Sequence, residues 1–210
     1  MSQVTENRKK MDGKGVFICI EGLDGCGKTT QTRLLVRRLK KMGYDALYTA
    51  EPSRGKIGAF IKKYCLHRGK RVSAVIEALL FAADRFEHVE KEIIPALSEG
   101  KIIISDRYVY SSLAYQGASR LDLRWIEKIN EHAIKPNLAI FVDVKPEMVI
   151  RRLKPKKSVM ENLETQRQVR KVYMKFVGNG ELVRIDGNKP KKDVADDILR
   201  VVLKFLETAT

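Results

Sequence analysis

Apolar residues along this chain fall into two alternating patterns. Five short runs are apolar almost throughout: Val16-Phe17-Ile18-Cys19-Ile20, Ala46-Leu47-Tyr48, Ile102-Ile103-Ile104, Leu138-Ala139-Ile140-Phe141-Val142 and Leu182-Val183-Arg184-Ile185. Runs of that length without polar alternation fit strands covered on both faces. Between them the apolar positions recur at helical spacing. Leu34, Leu35, Leu39 and Met42 lead to a stop at Gly43, and a helix follows over 56–64. A longer one over 72–89 carries Val72, Val75, Ile76, Leu79, Ala83 and Phe86 as one stripe. Ser111 to Gly117 begins as a helix and breaks at the glycine, and Leu123, Ile126, Ile129 and Ala133 mark another. A short helix ends at Arg151-Arg152; Val169, Val172, Tyr173 and Phe176 stripe the next, and Val194, Ile198, Val201 and Phe205 the last. Strands alternating with helices predict an α/β fold of three layers, with a five-stranded parallel sheet between helices.

Composition narrows the class. Two hundred and ten residues, 44% of them hydrophobic, suit one domain with a substantial core. Residues 1–14 read as a polar tail, 15–210 as the single domain, and the basic connector 154–160, holding Pro155, as a short mobile lid. No apolar run reaches membrane-spanning length, the start of the chain is polar, and the three cysteines form no CxxC pair. A cytoplasmic protein without disulfides or a zinc site is the expectation. The net charge of +15 permits two readings: a nucleic-acid surface, or a lysine-rich surface with arginines grouped around small anions. The basic residues are scattered and no aromatic-interleaved patch joins them, which favours the second.

Candidate chemistry begins directly after the first strand. Gly22-Leu23-Asp24-Gly25-Cys26-Gly27-Lys28-Thr29 has the spacing of a phosphate-binding loop. Its glycines turn successive backbone N–H groups onto a phosphate chain, Lys28 reaches the β- and γ-phosphates, and the Thr29 hydroxyl ligates Mg²⁺. The helix beginning near Lys28, followed by Thr30, adds its positive dipole end. A strand before the loop and a helix after it raise the motif above chance. Cys26 lies inside the loop, where neighbouring cations are expected to lower its pKa and make it a site whose modification blocks nucleotide binding.

In a parallel sheet, ligands sit at the carboxyl ends of the strands. Glu51-Pro52, Asp106-Arg107 and Asp143 all fall there. An acidic residue ending a buried strand, as Asp106 does, commonly holds Mg²⁺, and Arg107 offers a planar fork for phosphoryl oxygens. On the helix over 72–89, Phe81 projects roughly opposite the apolar stripe, with Arg85 one turn later and Glu77, Asp84 and His88 beside it. A large aromatic among polar residues next to an arginine fits a platform for a flat base with a donor at its edge. His88 alone reads as structural or solvent-exposed.

Together these segments resemble thymidylate kinases. Phe17 to Gln31, Leu80-Phe81-Ala82-Ala83-Asp84-Arg85, and Ser105-Asp106-Arg107-Tyr108 followed by Ser111 and Ala114-Tyr115-Gln116-Gly117 are similar to that family's signatures, in order, over nearly all of the chain from Gly15. The resemblance implies a P-loop fold and transfer of the γ-phosphoryl group of ATP to dTMP, with Mg²⁺, in dTTP biosynthesis. It implies that Phe81 stacks on thymine, Arg85 donates to a base carbonyl, and Ser112 and Gln116 lie near the base edge. Tyr115 packs against deoxyribose, Asp24 approaches the 3′-hydroxyl, and Glu51 belongs to the acceptor site. Arg107 and Arg54 clamp the acceptor phosphate, and the enzyme is a homodimer. Glycine at position 25 usually accompanies a catalytic arginine in the lid, but the lid here carries Lys154, Lys156 and Lys157. The expected donor is then Arg152 or Arg151. The rival readings are another nucleotide or nucleoside kinase, with dUMP or a deoxynucleoside as acceptor, and a nucleic-acid-dependent ATPase.

Overall fold

The computed structural model describes residues 15–66, 72–152 and 162–209. The tail 1–14 and the lid 154–160, with its three lysines, lie outside them. Five strands form one all-parallel sheet: β1 (Val16–Gly22), β2 (Ala46–Ala50), β3 (Ile102–Asp106), β4 (Leu138–Asp143) and β5 (Val183–Asp186), in the order β2-β3-β1-β4-β5. The three central strands are buried along their whole length, as continuous apolar runs demand, whereas β5, at the edge, leaves Val183 and Arg184 exposed. Around the sheet lie α1 (Lys28–Lys41), α2 (Lys56–Tyr64), α3 (Ala74–His88), α4 (Ile94–Ser98), α5 (Val109–Ala118), α6 (Leu123–Ile129), α7 (Pro146–Arg152), α8 (Leu163–Gly178) and α9 (Lys191–Ala209). A π-helical turn, Val89–Ile93, joins α3 to α4. Among the described residues no helix is long and apolar enough to cross a membrane.

Three helices depart from expectation. α6 stops at Ile129, leaving Ala133 in the following turns. α5 runs through Gly117 to Ala118, because one interior glycine costs only about 1 kcal/mol, too little to end a well-packed helix. The largest departure is α3, whose polarity is inverted. Val75, Ile76 and Leu79 are each nearly half exposed, while Glu77, Ala78, Ala82, Asp84, Arg85 and His88 are buried. The inward polar residues are tolerated because each finds partners on β2, α5 or the loop after β2. Ser53 donates from its backbone N–H (2.8 Å) and its hydroxyl to Asp84, and the backbone N–H of Ile57 donates to Glu87 at 3.2 Å. These bonds tie the β2–α2 loop to α3. Gly58 makes the approach feasible: a Cβ there would stand 2.3 Å from the Ser53 carbonyl oxygen and 2.6 Å from Asp84.

Candidate active site

The loop between β1 and α1 is shaped by left-handed glycines, with φ of 82° at Gly25 and 96° at Gly27. Leu23 is buried beneath it and anchors it to the core, while Gly25, Gly27, Thr29 and Thr30 are exposed. Lys28 is tucked inward, its Nζ donating to the Leu23 carbonyl at 3.0 Å and standing 3.7 Å from the Asp24 carboxylate. Cys26 is buried, and burial pushes its thiol pKa up despite the nearby Lys28. The expectation of a lowered pKa there is overturned: desolvation of a thiolate outweighs one ammonium.

Arg107 lies at the end of β3 with φ 75°, a left-handed conformation that costs a non-glycine residue about 1–2 kcal/mol. Its guanidinium pairs with Asp24, donates to Ser111 Oγ at 2.8 Å and lies 4.9 Å from the centre of the Tyr115 ring. The Tyr115 hydroxyl accepts from the Asp24 backbone N–H at 2.9 Å. Burial raises the Asp24 carboxyl pKa, but Arg107 and then Lys28 outweigh it and hold the group below the usual carboxylate range. Lys28, Asp24, Arg107 and Tyr115 therefore meet, from three segments, at one end of the sheet.

Beside them, Thr29 Oγ1 donates to Asp106 Oδ2, while Asp106 Oδ1 is buried with no hydrogen-bond partner among the described residues. A hydroxyl and a carboxylate with a free, buried oxygen are hard donors of the kind Mg²⁺ takes. Asp143, at the end of β4, is committed elsewhere: Arg170 and Arg184 both bond it at 2.7 Å. On the far side of the phosphate loop, Arg152 lines a cleft of about 230 Å³ with Gly25, Gly27, Gln31, Lys189 and Lys191.

A second cluster stands between α3 and α5. Arg85 is nearly fully buried, donating through Nε (3.1 Å) and Nη2 (2.7 Å) to Glu51, through Nη1 to Asn130 (2.5 Å) and through Nη2 to Ser112 (3.1 Å). Four of its five N–H donors are used, leaving one on Nη1. Phe81, one turn earlier, is only partly buried. Gln116 is buried and donates to Glu77 at 2.8 Å. Glu51, Arg85 and Ser112 are thus brought together, with Phe81 one turn before Arg85 on α3 and Gln116 one turn after Ser112 on α5, whereas Arg54 is exposed and makes no hydrogen bond among the described residues.

Several site residues carry roles that single positions did not signal. Glu21 is wholly buried; it accepts from the backbone N–H of Tyr108 (2.8 Å), from Ser111 Oγ (2.6 Å) and from Tyr173 (2.9 Å), holding the start of α5 and the Arg107 turn. Burial raises its pKa above the usual carboxylate range, an effect that its three hydrogen-bonding partners and Arg107 counter only in part. A charged residue inside an apolar strand was the signal available. His88 is buried, bonded to Thr49 at 2.6 Å and to Glu51 at 3.3 Å, which makes it structural rather than solvent-exposed.

A family model described as thymidylate kinase matches residues 20–198. The chain belongs to the thymidylate kinase family. It is 44% identical over 197 residues to a Pyrococcus horikoshii protein named "Probable thymidylate kinase", covering 90% of this chain and 96% of that one. It is 38% identical to the thymidylate kinase of Caldanaerobacter subterraneus (93% and 99% covered) and 39% identical to that of a Thermoanaerobacter species (92% and 100%). This thymidylate kinase family member has the α/β fold with a five-stranded parallel sheet that its alternating pattern predicts.

Proposed function

We propose that this enzyme transfers the γ-phosphoryl group of ATP to dTMP, giving ADP and dTDP. The observation that carries the reading is the pairing of two sites across one sheet edge: a phosphate loop holding Lys28, and an α3–α5 seam holding Phe81 and Arg85, with Arg107 between them. Phosphoryl transfer asks the protein for alignment and charge neutralisation rather than covalent chemistry. The loop amides and Lys28 take the ATP phosphates; Lys28 must leave the Leu23 carbonyl to do so. Arg107 exchanges Asp24 for the acceptor phosphate, which frees the Asp24 carboxylate to accept from the 3′-hydroxyl. Tyr115, fixed by the Asp24 backbone, closes the place a 2′-hydroxyl would need. Arg152, which lines the loop-side cleft, is the arginine this reading assigns to the transferring group.

Thr29 and Asp106 are the residues that would hold Mg²⁺, directly or through water. When bound, the ion neutralises charge on the triphosphate. The assembly we propose is a homodimer. The outward stripe of α3 (Val75, Ile76 and Leu79) and the exposed Phe60 and Tyr64 of the packed α2 offer an apolar patch that suits a second copy. Both substrates are free nucleotides, and the cytoplasm is the compartment this reading fits.

Assaying dTMP, dUMP, dCMP and thymidine side by side as acceptors tests the reaction. The expected order puts dTMP first by kcat/KM; ATPase activity stimulated by DNA or RNA but not by dTMP would overturn it. Phe81→Ala is expected to raise the KM for dTMP at least tenfold with a smaller effect on kcat, since base stacking contributes about 1–3 kcal/mol.

A further inference from the structure

Two rungs join α3 to α5. Four-residue spacing puts Glu77, Phe81 and Arg85 along one face of α3, and Ser112 and Gln116 along the facing side of α5. Arg85 bonds Ser112 at one rung (3.1 Å) and Glu77 bonds Gln116 at the other (2.8 Å), with Phe81 between them in sequence. Both Glu77 and Gln116 are only 3% exposed. A buried carboxylate needs a reason, and this one accepts from an amide whose other end is unsatisfied. Gln116 Oε1 is buried without a hydrogen-bond partner among the described residues.

The geometry points to Glu77 as a positioning residue that selects which end of the Gln116 amide a pyrimidine meets. A carboxylate can only accept, so it takes the NH₂ end and leaves the carbonyl oxygen turned away from it. That oxygen is an acceptor waiting for a donor, on the seam that already carries Phe81 and Arg85. Leaving it unpaired costs about 1–3 kcal/mol, which a ligand N–H recovers. A 4-keto pyrimidine presents N3–H there; a 4-amino pyrimidine presents an unprotonated N3 and meets the oxygen acceptor to acceptor. Glu77 thereby contributes to choosing thymine over cytosine without touching the base. The inference rests on the proposed dTMP reaction.

The test is Glu77→Gln, which keeps shape but offers an amide able to bond either end of Gln116. Steady-state kinetics with dTMP and dCMP are expected to show KM for dTMP rising about tenfold with kcat within a fewfold. The dTMP:dCMP ratio of kcat/KM should fall at least tenfold. In a Gln116→Leu background the same change should alter the ratio less than twofold, because the two residues act as one unit. Should Glu77→Gln fail to fold, the exchange Glu77→Gln with Gln116→Glu restores the bond and again turns only acceptors toward the base. That pair is expected to retain rejection of dCMP. An unchanged ratio in Glu77→Gln, an equal effect with and without Gln116, or loss of dCMP rejection in the exchange overturns the inference. Failure of the parent reading looks different: the unaltered protein would then not phosphorylate dTMP preferentially.

Discussion

Arg107 combines a strained backbone with a fork of donors that has a carboxylate, a serine and a tyrosine around it. In the proposed reaction its planar fork, rather than its charge alone, matters for the oxygens of the acceptor phosphate. Arg107→Lys keeps the charge and is expected to lower kcat at least 100-fold, about 3 kcal/mol of transition-state stabilisation, with the thermal midpoint little changed. Single-turnover kinetics beside a melting curve check this. At this scale the sequence was informative where neighbours lie within one helix: four-residue spacing singled out Phe81 with Arg85, whereas Gln116 entered only through the family resemblance. It was silent where the partner is remote. Asn130 reaches Arg85 across 45 positions, and Tyr173 reaches Glu21 across 152. The Cys26 reading failed for the same reason, since what surrounds a thiol is not a property of its sequence neighbours.

Among the elements, the β2–α2 loop and the end of β4 show how site geometry is held. Gly58→Ala would drive a Cβ into the Ser53 backbone and Asp84, neither of which can move without breaking the tie to α3. A loss of about 1–3 kcal/mol is expected by denaturant titration, with KM for dTMP rising because Glu51 sits at the same loop. Asp143 is buried, and burial raises its pKa, but bonds from Arg170 and Arg184 outweigh that and hold it below its ordinary value of 3.8. A depressed folded-state pKa means stability that is present above the ordinary value and lost as pH falls through the folded one. Asp143→Asn should therefore cost about 1–3 kcal/mol at pH 7, discounted because both arginines are a third to a half exposed. The gap to the unaltered protein should close as pH falls below 3.8, which melting curves across pH will reveal. The inversion of α3 belongs here too. Periodicity located its stripe correctly, but which side faced inward was decided by Glu51, Ser53 and Gln116 supplying partners for the polar face.

At the scale of the molecule, the apolar side of α3 is exposed, with Val75, Ile76 and Leu79 each nearly half accessible. Leu79→Glu is expected to convert a dimer to monomers in sedimentation experiments while leaving the thermal midpoint of the fold itself within a few degrees. A monomeric unaltered protein would refute the proposed assembly. The run-and-stripe pattern pointed to alternating strands and helices in a parallel sheet, and the Gly22-to-Thr29 spacing to the place of the phosphate loop, because those follow from local spacing and from the chirality of strand connections. Only the folded chain decided which polar side chains are satisfied: that Arg85 is clamped on four bonds, that Asp143 is locked by two arginines, and that Asp106 and Gln116 each keep one buried oxygen without a partner among the described residues. Hydrophobic periodicity is written along the chain, whereas hydrogen-bond satisfaction depends on atoms brought together from distant segments.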